Sequence, residues 1–377
     1  MHATSTHAEA DRIMTVCNSC RYCEGLCAVF PAMELRRSFP DGDLDYLANL
    51  CHGCGACYYD CQFSPPHEFN VDVPRVFARL RIQSYARYAW PAALSPLFVR
   101  NGRAVAAAGA IGVALFLAGF ALFDGVSFAT RHEGAGAFYA LMPHRAMALL
   151  FGAAFVGALA ALGVGLAKFW RASAEPKRTH AMTRTRASLG PLLQAVRDAA
   201  RLRYLDGGGD GCMNEGEQPT DRRALFHHFT FCGFLLCFAA TCVATLYHYA
   251  LGRAAPYPWY SVPVLLGAAG GIGLVAGPAG LLAAKLRRDP KLREPESLGM
   301  DLSFLAMLFL TGATGLALLC FRATAVMGPL LAIHLGLVLA LFVTMPYGKF
   351  VHGLYRFAAL VRYAREADKF RETPPSA

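Results

Sequence analysis

Charge is what this chain has least of. Only 16% of its 377 residues are Asp, Glu, Lys or Arg, against 55% hydrophobic, and the mean hydropathy is +0.35. That is too little polar surface for a soluble protein of this size, so a membrane domain is expected. No apolar run precedes Cys17, so no cleavable signal peptide is read, and the cysteine-rich start is expected in the reducing cytoplasm. No G-x-G-x-x-G opens a helix after a strand, which argues against a flavin or nicotinamide site. No two cysteines are adjacent, so the Cys-Cys-Gly element of heterodisulfide reductase or glycolate oxidase relatives is missing.

What is present begins with six apolar stretches, each near the roughly 20 residues that cross a hydrocarbon core. They fall at Ala104–Phe123, Ala146–Ala167, Phe226–Ala250, Val262–Ala284, Leu302–Phe321 and Gly328–Pro346. The formal net charge of +10 is not a nucleic-acid signal, because the cations alternate between loops. Loop 168–225 holds eleven Lys and Arg, loop 285–301 five, and the tail after Pro346 six. The opposite loops hold only Arg131, Arg145, Arg253 and Arg322. The excess marks the cytoplasmic side of a bacterial-type inner membrane, and six spans put both termini there. Lys349 and Arg356 offer a surface to an acidic partner or serve as topology signals. Loop 168–225, with Gly207-Gly208-Gly209, reads as a solvated connector.

The first eight of thirteen cysteines carry the chemistry. Cys17, Cys20, Cys23 and Cys27 form C-x2-C-x2-C-x3-C, and Cys51, Cys54, Cys57 and Cys61 repeat it 34 residues later. Three thiolates two residues apart wrap three corners of one cubane, and the fourth reaches the neighbouring cluster. The spacing therefore predicts two [4Fe–4S] clusters, one on Cys17, Cys20, Cys23 and Cys61, the other on Cys51, Cys54, Cys57 and Cys27. Gly25, Gly53 and Gly55 suit close backbone approach to sulfide. Structural zinc takes ligands in pairs with a longer insert between them, which this pattern is not. Neither fourth cysteine is followed directly by proline, which comes four residues later at Pro31 and Pro65; the head can depart from a simple bacterial ferredoxin. Cys212, Cys232, Cys237, Cys242 and Cys320 show no ligand spacing and are read as packing residues.

Histidine inside a membrane is a functional signal by default. His334 lies in the last span, and His352 follows 18 residues later, five turns along and about 27 Å away if the helix continues past Gly348. The third span carries His227 and His228 at its inner end and His248 at its outer end. The antiparallel arrangement pairs His227 or His228 with His352, and His248 with His334. One or two b-type haems with bis-histidine ligation are expected. His132, His144 and His180 are read as solvated loop residues.

The stretches Cys17-Asn18-Ser19-Cys20-Arg21-Tyr22-Cys23-Glu24-Gly25 through Pro31-Ala32, and Asn49-Leu50-Cys51-His52-Gly53-Cys54-Gly55-Ala56-Cys57-Tyr58-Tyr59, resemble the tricarballylate/citrate utilisation protein B family, as does Pro65-Pro66-His67-Glu68-Phe69. The membrane part is similar in plan to the haem-bearing gamma subunit of respiratory nitrate reductase. The resemblance implies that electrons come from the reduced FAD of a partner tricarballylate dehydrogenase and go to membrane quinone. The flavoprotein oxidises tricarballylate to cis-aconitate; this chain regenerates its FAD and is not itself the dehydrogenase.

The expected fold is mainly α, a two-cluster ferredoxin-like head followed by a six-helix transmembrane bundle. Its parts are a polar tail (1–16), a cluster domain (17–80), an interfacial linker with Tyr85, Tyr88 and Trp90 (81–103), the membrane domain (104–346) and a helical extension with its tail (347–377). Rival readings are an electron-transfer subunit of another flavin-linked dehydrogenase, a redox sensor, and a transporter of citrate-like acids. For the transporter, Gly270-Gly271 and Gly277-Pro278 hint at a broken fourth span.

Overall fold

The computed structural model describes residues 2–123, 128–173 and 189–372; His180, the basic residues Lys177, Arg178, Arg184 and Arg186, and the end of the tail lie outside them. The described residues are mainly helical and contain no strand. Five helices build the head: α1 (Ser5–Cys20), α2 (Val29–Glu34), α3 (Asp41–Leu50), α4 (Ala56–Tyr59) and α5 (Val73–Tyr88). The expected polar tail is instead most of α1. The Thr4 side chain accepts from the His7 N–H as its cap. Ala10, Ile13 and Met14, spaced for one helical face, are buried in the head core with Phe30, Tyr46, Leu47, Leu50, Phe77 and Leu80. A short amphipathic helix in a polar run is easily passed over, because only every third or fourth residue is apolar.

All six expected apolar stretches are helices long and apolar enough to cross a membrane: α6 (Asn101–Phe123), α7 (His144–Ala172), α9 (Arg222–Leu251), α10 (Val262–Arg287), α11 (Pro295–Phe321) and α12 (Met327–Thr344, with a 3-10 turn to Tyr347). They are compatible with a multi-pass membrane protein. In lipid, apolar side chains gain little from one another, so close backbone approach at small residues holds such helices together. A Cβ on Gly112 of α6 would lie 2.6 Å from the Gly336 carbonyl oxygen of α12, and one on Gly336 would lie 2.6 Å from the Val113 Cα. A Cβ on Gly233 of α9 would lie 2.9 Å from the Gly270 oxygen of α10. The fourth span is therefore unbroken, with Pro278 inside it, and its glycines are a contact surface rather than a hinge.

The connector is also different from expectation. Its described part contains α8 (Gly190–Arg201), which packs on α13 (Val351–Glu372), and then folds over the head. Leu205 and Cys212 are buried there against Cys54 and Ala56. Tyr85 and Tyr88, expected at the membrane interface, are buried where head meets bundle, against Phe169 and Tyr355. Helix α13 returns to the head: Glu366 accepts from Arg36 at 2.7 Å and from Tyr46 at 3.1 Å, and Arg362 reaches Asp43 at 2.6 Å. Head and C-terminal helix thus share one end of the bundle, as an even number of spans requires.

Gly336→Ala should lower the thermal midpoint in detergent, since the new methyl meets backbone and overpacking costs about 1–3 kcal/mol. Gly157→Ala, with nothing within 4 Å of its Cβ, should leave the midpoint in place.

Candidate metal centre

The head sorts its eight clustered cysteines into two groups. Cys17 and Cys20 end α1, the chain turns at Arg21 (φ 58°), and Cys23 follows. These three and Cys61 line one cavity of about 260 Å³ with Phe30, Asp60 and Phe63. Cys51 leaves α3, the chain turns at Gly53 (φ 62°) and Gly55 (φ 91°), and Cys54 and Cys57 follow. They share a second, tighter pocket with Cys27, whose free space is about 10 Å³. The fourth cysteine of each repeat therefore lies with the three of the other. Gly55 does not face a cofactor space; a Cβ there would lie 2.7 Å from the Met213 oxygen of the covering segment.

The two groups differ in exposure and charge. Cys20 is exposed and Tyr22 beside it is 74% exposed, whereas Cys51 and Cys54 are buried. Burial and the neighbouring thiols push the Cys17 and Cys23 thiols up to about 12, and burial pushes Cys54 up to about 11. Bare, these three are thiols at neutral pH, and a metal that binds them displaces protons. Among the described residues, no three His, Cys, Asp or Glu side chains converge on a point that one metal ion would fill. A tetrahedral zinc, with sulfur at about 2.3 Å, needs that convergence.

The inner group sits inside a collar of arginines. Arg356 of α13 donates to the Cys51 carbonyl at 2.7 Å, and Arg81 of α5 donates to it at 3.1 Å. Arg223 of α9 donates to the Gly53 and His52 carbonyls at 2.9 and 3.1 Å, and Arg288 reaches Gly53 at 3.2 Å. Burial, then neighbouring guanidiniums, push Arg288 and Arg356 down to about 10. The nearby carboxylates are already engaged: Asp301 by Lys285 and Lys349, Glu294 by Arg79. Positive charge is thus in excess in a half-buried place, which is costly without an anion. Four thiolates around an iron–sulfur cubane, net negative, fit that surplus; the larger cavity and the sulfur-only donor set fit one at the outer group. Arg356 is accordingly turned into the head rather than offered to a partner.

The histidines divide by geometry. His227 of α9 and His352 of α13 face each other with ring centres 6.4 Å apart and planes at 85°. With a metal–imidazole bond of about 2.0 Å and a ring centre about 1.1 Å beyond the nitrogen, two imidazoles on opposite sides of one metal would stand about 6.2 Å apart. The Nδ1 of His352 lies 2.5 Å from the Lys349 carbonyl, which only accepts, so Nδ1 carries the proton and Nε2 keeps its lone pair. Burial, then Lys349 and Arg356, hold His352 well below the usual histidine range, so it is neutral. The facing rings and the free Nε2 of His352 are the donor chemistry of a bis-imidazole haem site.

His228 is placed otherwise. Both of its nitrogens lie 2.9 Å from backbone carbonyls, of Ala224 and Ala200, so it anchors α9 to α8. At the outer level, Thr314 donates its hydroxyl to Leu310 and so accepts from His334 Nδ1 at 3.0 Å, again leaving Nε2 free. His248 does not meet His334 in the expected way: it stacks on His144, centres 3.6 Å apart, and its Nδ1 is buried without a partner. His144, expected to be solvated, opens α7. The single helix expected to carry both His334 and His352 is also interrupted: α12 ends at Thr344, Gly348 is extended, and α13 begins at Val351.

A helical head with its cysteines in two groups, set against six helices long and apolar enough to cross a membrane, defines the class: a membrane-associated protein with a ferredoxin-like head. Residues 10–87 match the family described as Citrate utilization protein B Fer4-like domain, and residues 98–374 match Citrate utilization protein B. The chain belongs to the citrate utilization protein B family. It is similar to Citrate utilization protein B of Escherichia coli, 48% identical over 369 residues, covering 96% of this chain and 93% of that one. No solved structure matches.

From this geometry, His227→Ala and His352→Ala should each abolish low-spin b-haem absorbance in membranes, while His228→Ala should keep it. Loss of His228's bond to a backbone carbonyl should cost about 1–3 kcal/mol of stability, seen in thermal melts.

Proposed function

We propose that this chain carries electrons from a reduced flavoprotein to membrane quinone, across the cytoplasmic face of a bacterial-type inner membrane with both termini on that face. The observation that carries the reading is the series of sites in one chain: an exposed cysteine group, a buried one, and the facing pair His227 and His352 beyond it. When bound, two [4Fe–4S] clusters and b-type haem supply the one-electron carriers. Cys17, Cys20, Cys23 and Cys61 hold the outer cluster; Cys51, Cys54, Cys57 and Cys27 hold the inner one. His227 and His352 would hold the haem, supplying imidazole nitrogens at the inner membrane level. At the outer level His248 stacks on His144 and does not face His334, so the geometry supports one haem site, the one at His227 and His352.

The donor is the FAD of a tricarballylate dehydrogenase, following the family. Its reduced flavin gives up two electrons and two protons; quinone takes two of each; this chain passes the electrons singly. The basic loops set the orientation, and the share of α1 and α13 in one end of the bundle supports a common side for both termini.

Protein purified without oxygen should hold about eight non-haem iron and eight sulfide per chain, four of each per cubane. Cys51→Ala should lose about half of both, and Cys212→Ala, a buried thiol in the wall, should lose none; zinc in place of iron would overturn the reading. With His352 held below the ordinary value of about 6.5, its ligation should survive acidification from about pH 8 to about pH 6 and be lost only lower, as protonation of the free imidazole begins to compete. An optical pH titration of reduced haem reads this directly.

A further inference from the structure

We infer that Arg81, Arg223, Arg288 and Arg356 make the inner cysteine group the electron-accepting one of the two, and that Arg223 and Arg356 carry the contact onward to His227 and His352. The inference rests on the electron-carrying role just proposed and goes further, to the residues that give the transfer its direction.

The first ground is charge. A cubane on four thiolates is more negative when reduced, so nearby cations favour the reduced form and raise its potential. Four guanidiniums hydrogen-bond the backbone of residues 48–53 around the inner group. The outer group instead has a carboxylate, Asp60, in the wall of its cavity. Arg21, next to Cys20 in the chain, is exposed and donates back to the Asn18 carbonyl. Water screens what charge remains there. An electron therefore runs from the exposed site to the buried one. In that step the outer cluster is oxidised by one electron and the inner reduced by one; no bond forms or breaks and no proton moves.

The second ground is connection. Arg223 binds the Gly53 and His52 carbonyls, and His227 is four residues further along the same helix. Arg356 binds the Cys51 carbonyl, and His352 is four residues earlier on its helix. Residues four apart share a helix face, about 6 Å along the axis. Each histidine of the facing pair thus has its own arginine, one turn away, seated on the loop that bears Cys51 and Cys54. His52, buried between them, turns its Nδ1 to the Leu50 carbonyl at 3.0 Å.

The test uses the full-length protein with its clusters and haem, purified without oxygen in detergent. Redox titration is followed by electron paramagnetic resonance for the clusters and by absorbance for haem. The signal broadened by a soluble paramagnetic relaxer is the outer cluster. In the unaltered protein the unbroadened signal should reduce first. Arg288→Gln removes one charge and a single loop bond, and should shift the electron-sharing equilibrium between inner cluster and haem at least tenfold toward haem, 59 mV for one electron. The outer signal should stay in place. Arg356→Lys and Arg223→Lys keep the charge but lose the fork, so their potentials should hold while haem reduction by reduced flavin slows several-fold. A merely structural role would move neither potential nor rate apart from cluster loss. An inner signal that reduces after the outer one, or one that Arg288→Gln leaves unmoved, overturns the inference. Absence of clusters or haem from the unaltered protein instead overturns the electron-carrying role itself.

Discussion

Four guanidinium groups converging on the carbonyls of one loop, residues 48–53, form the joint on which the rest of the molecule depends. They come from α5, α9, the end of α10 and α13, so a single loop ties the head to two membrane helices and to the C-terminal helix. Such crowding of like charge is unfavourable by itself, and the carboxylates in reach are already paired. A negatively charged occupant of the cysteine group relieves it. Metal loading and docking of head on bundle are, on this view, one energetic event.

Around that joint the molecule grades from wet to dry. The outer cysteine group opens to solvent beside Tyr22, the inner one is closed over by residues 202–213, and the histidine pair lies beyond. Helix α13 is clamped to the head by Glu366, Arg36, Arg362 and Asp43, which fixes His352 relative to the inner group. The membrane helices meet through glycine, at Gly112 with Gly336 and Gly233 with Gly270. A continuous α10 removes the broken-helix argument for a transporter, since the small residues that hinted at it serve packing.

Much of this was legible in the chain because it is carried by local spacing. The doubled C-x2-C-x2-C-x3-C and the six apolar runs are periodic and need no tertiary knowledge. Helix α1 was missed because its apolar face is three residues wide, and the Gly207–Gly209 region because glycine runs also occur where a segment folds tightly against another. The histidines were legible as candidates only. Periodicity placed His227 and His352 at one level, but it also joined His352 to His334 through a helix that in fact stops at Thr344.

Sequence alone determined the grouping of the eight clustered cysteines, the six apolar helices and the common level of His227 and His352, because those follow from residue type and interval along one chain. Tertiary structure alone decided that His227 and not His228 faces His352, that His248 stacks on His144, and that four arginines distant in sequence surround Cys51. These depend on helix rotation and on carbonyl partners up to 307 residues away, and no interval in the sequence encodes them.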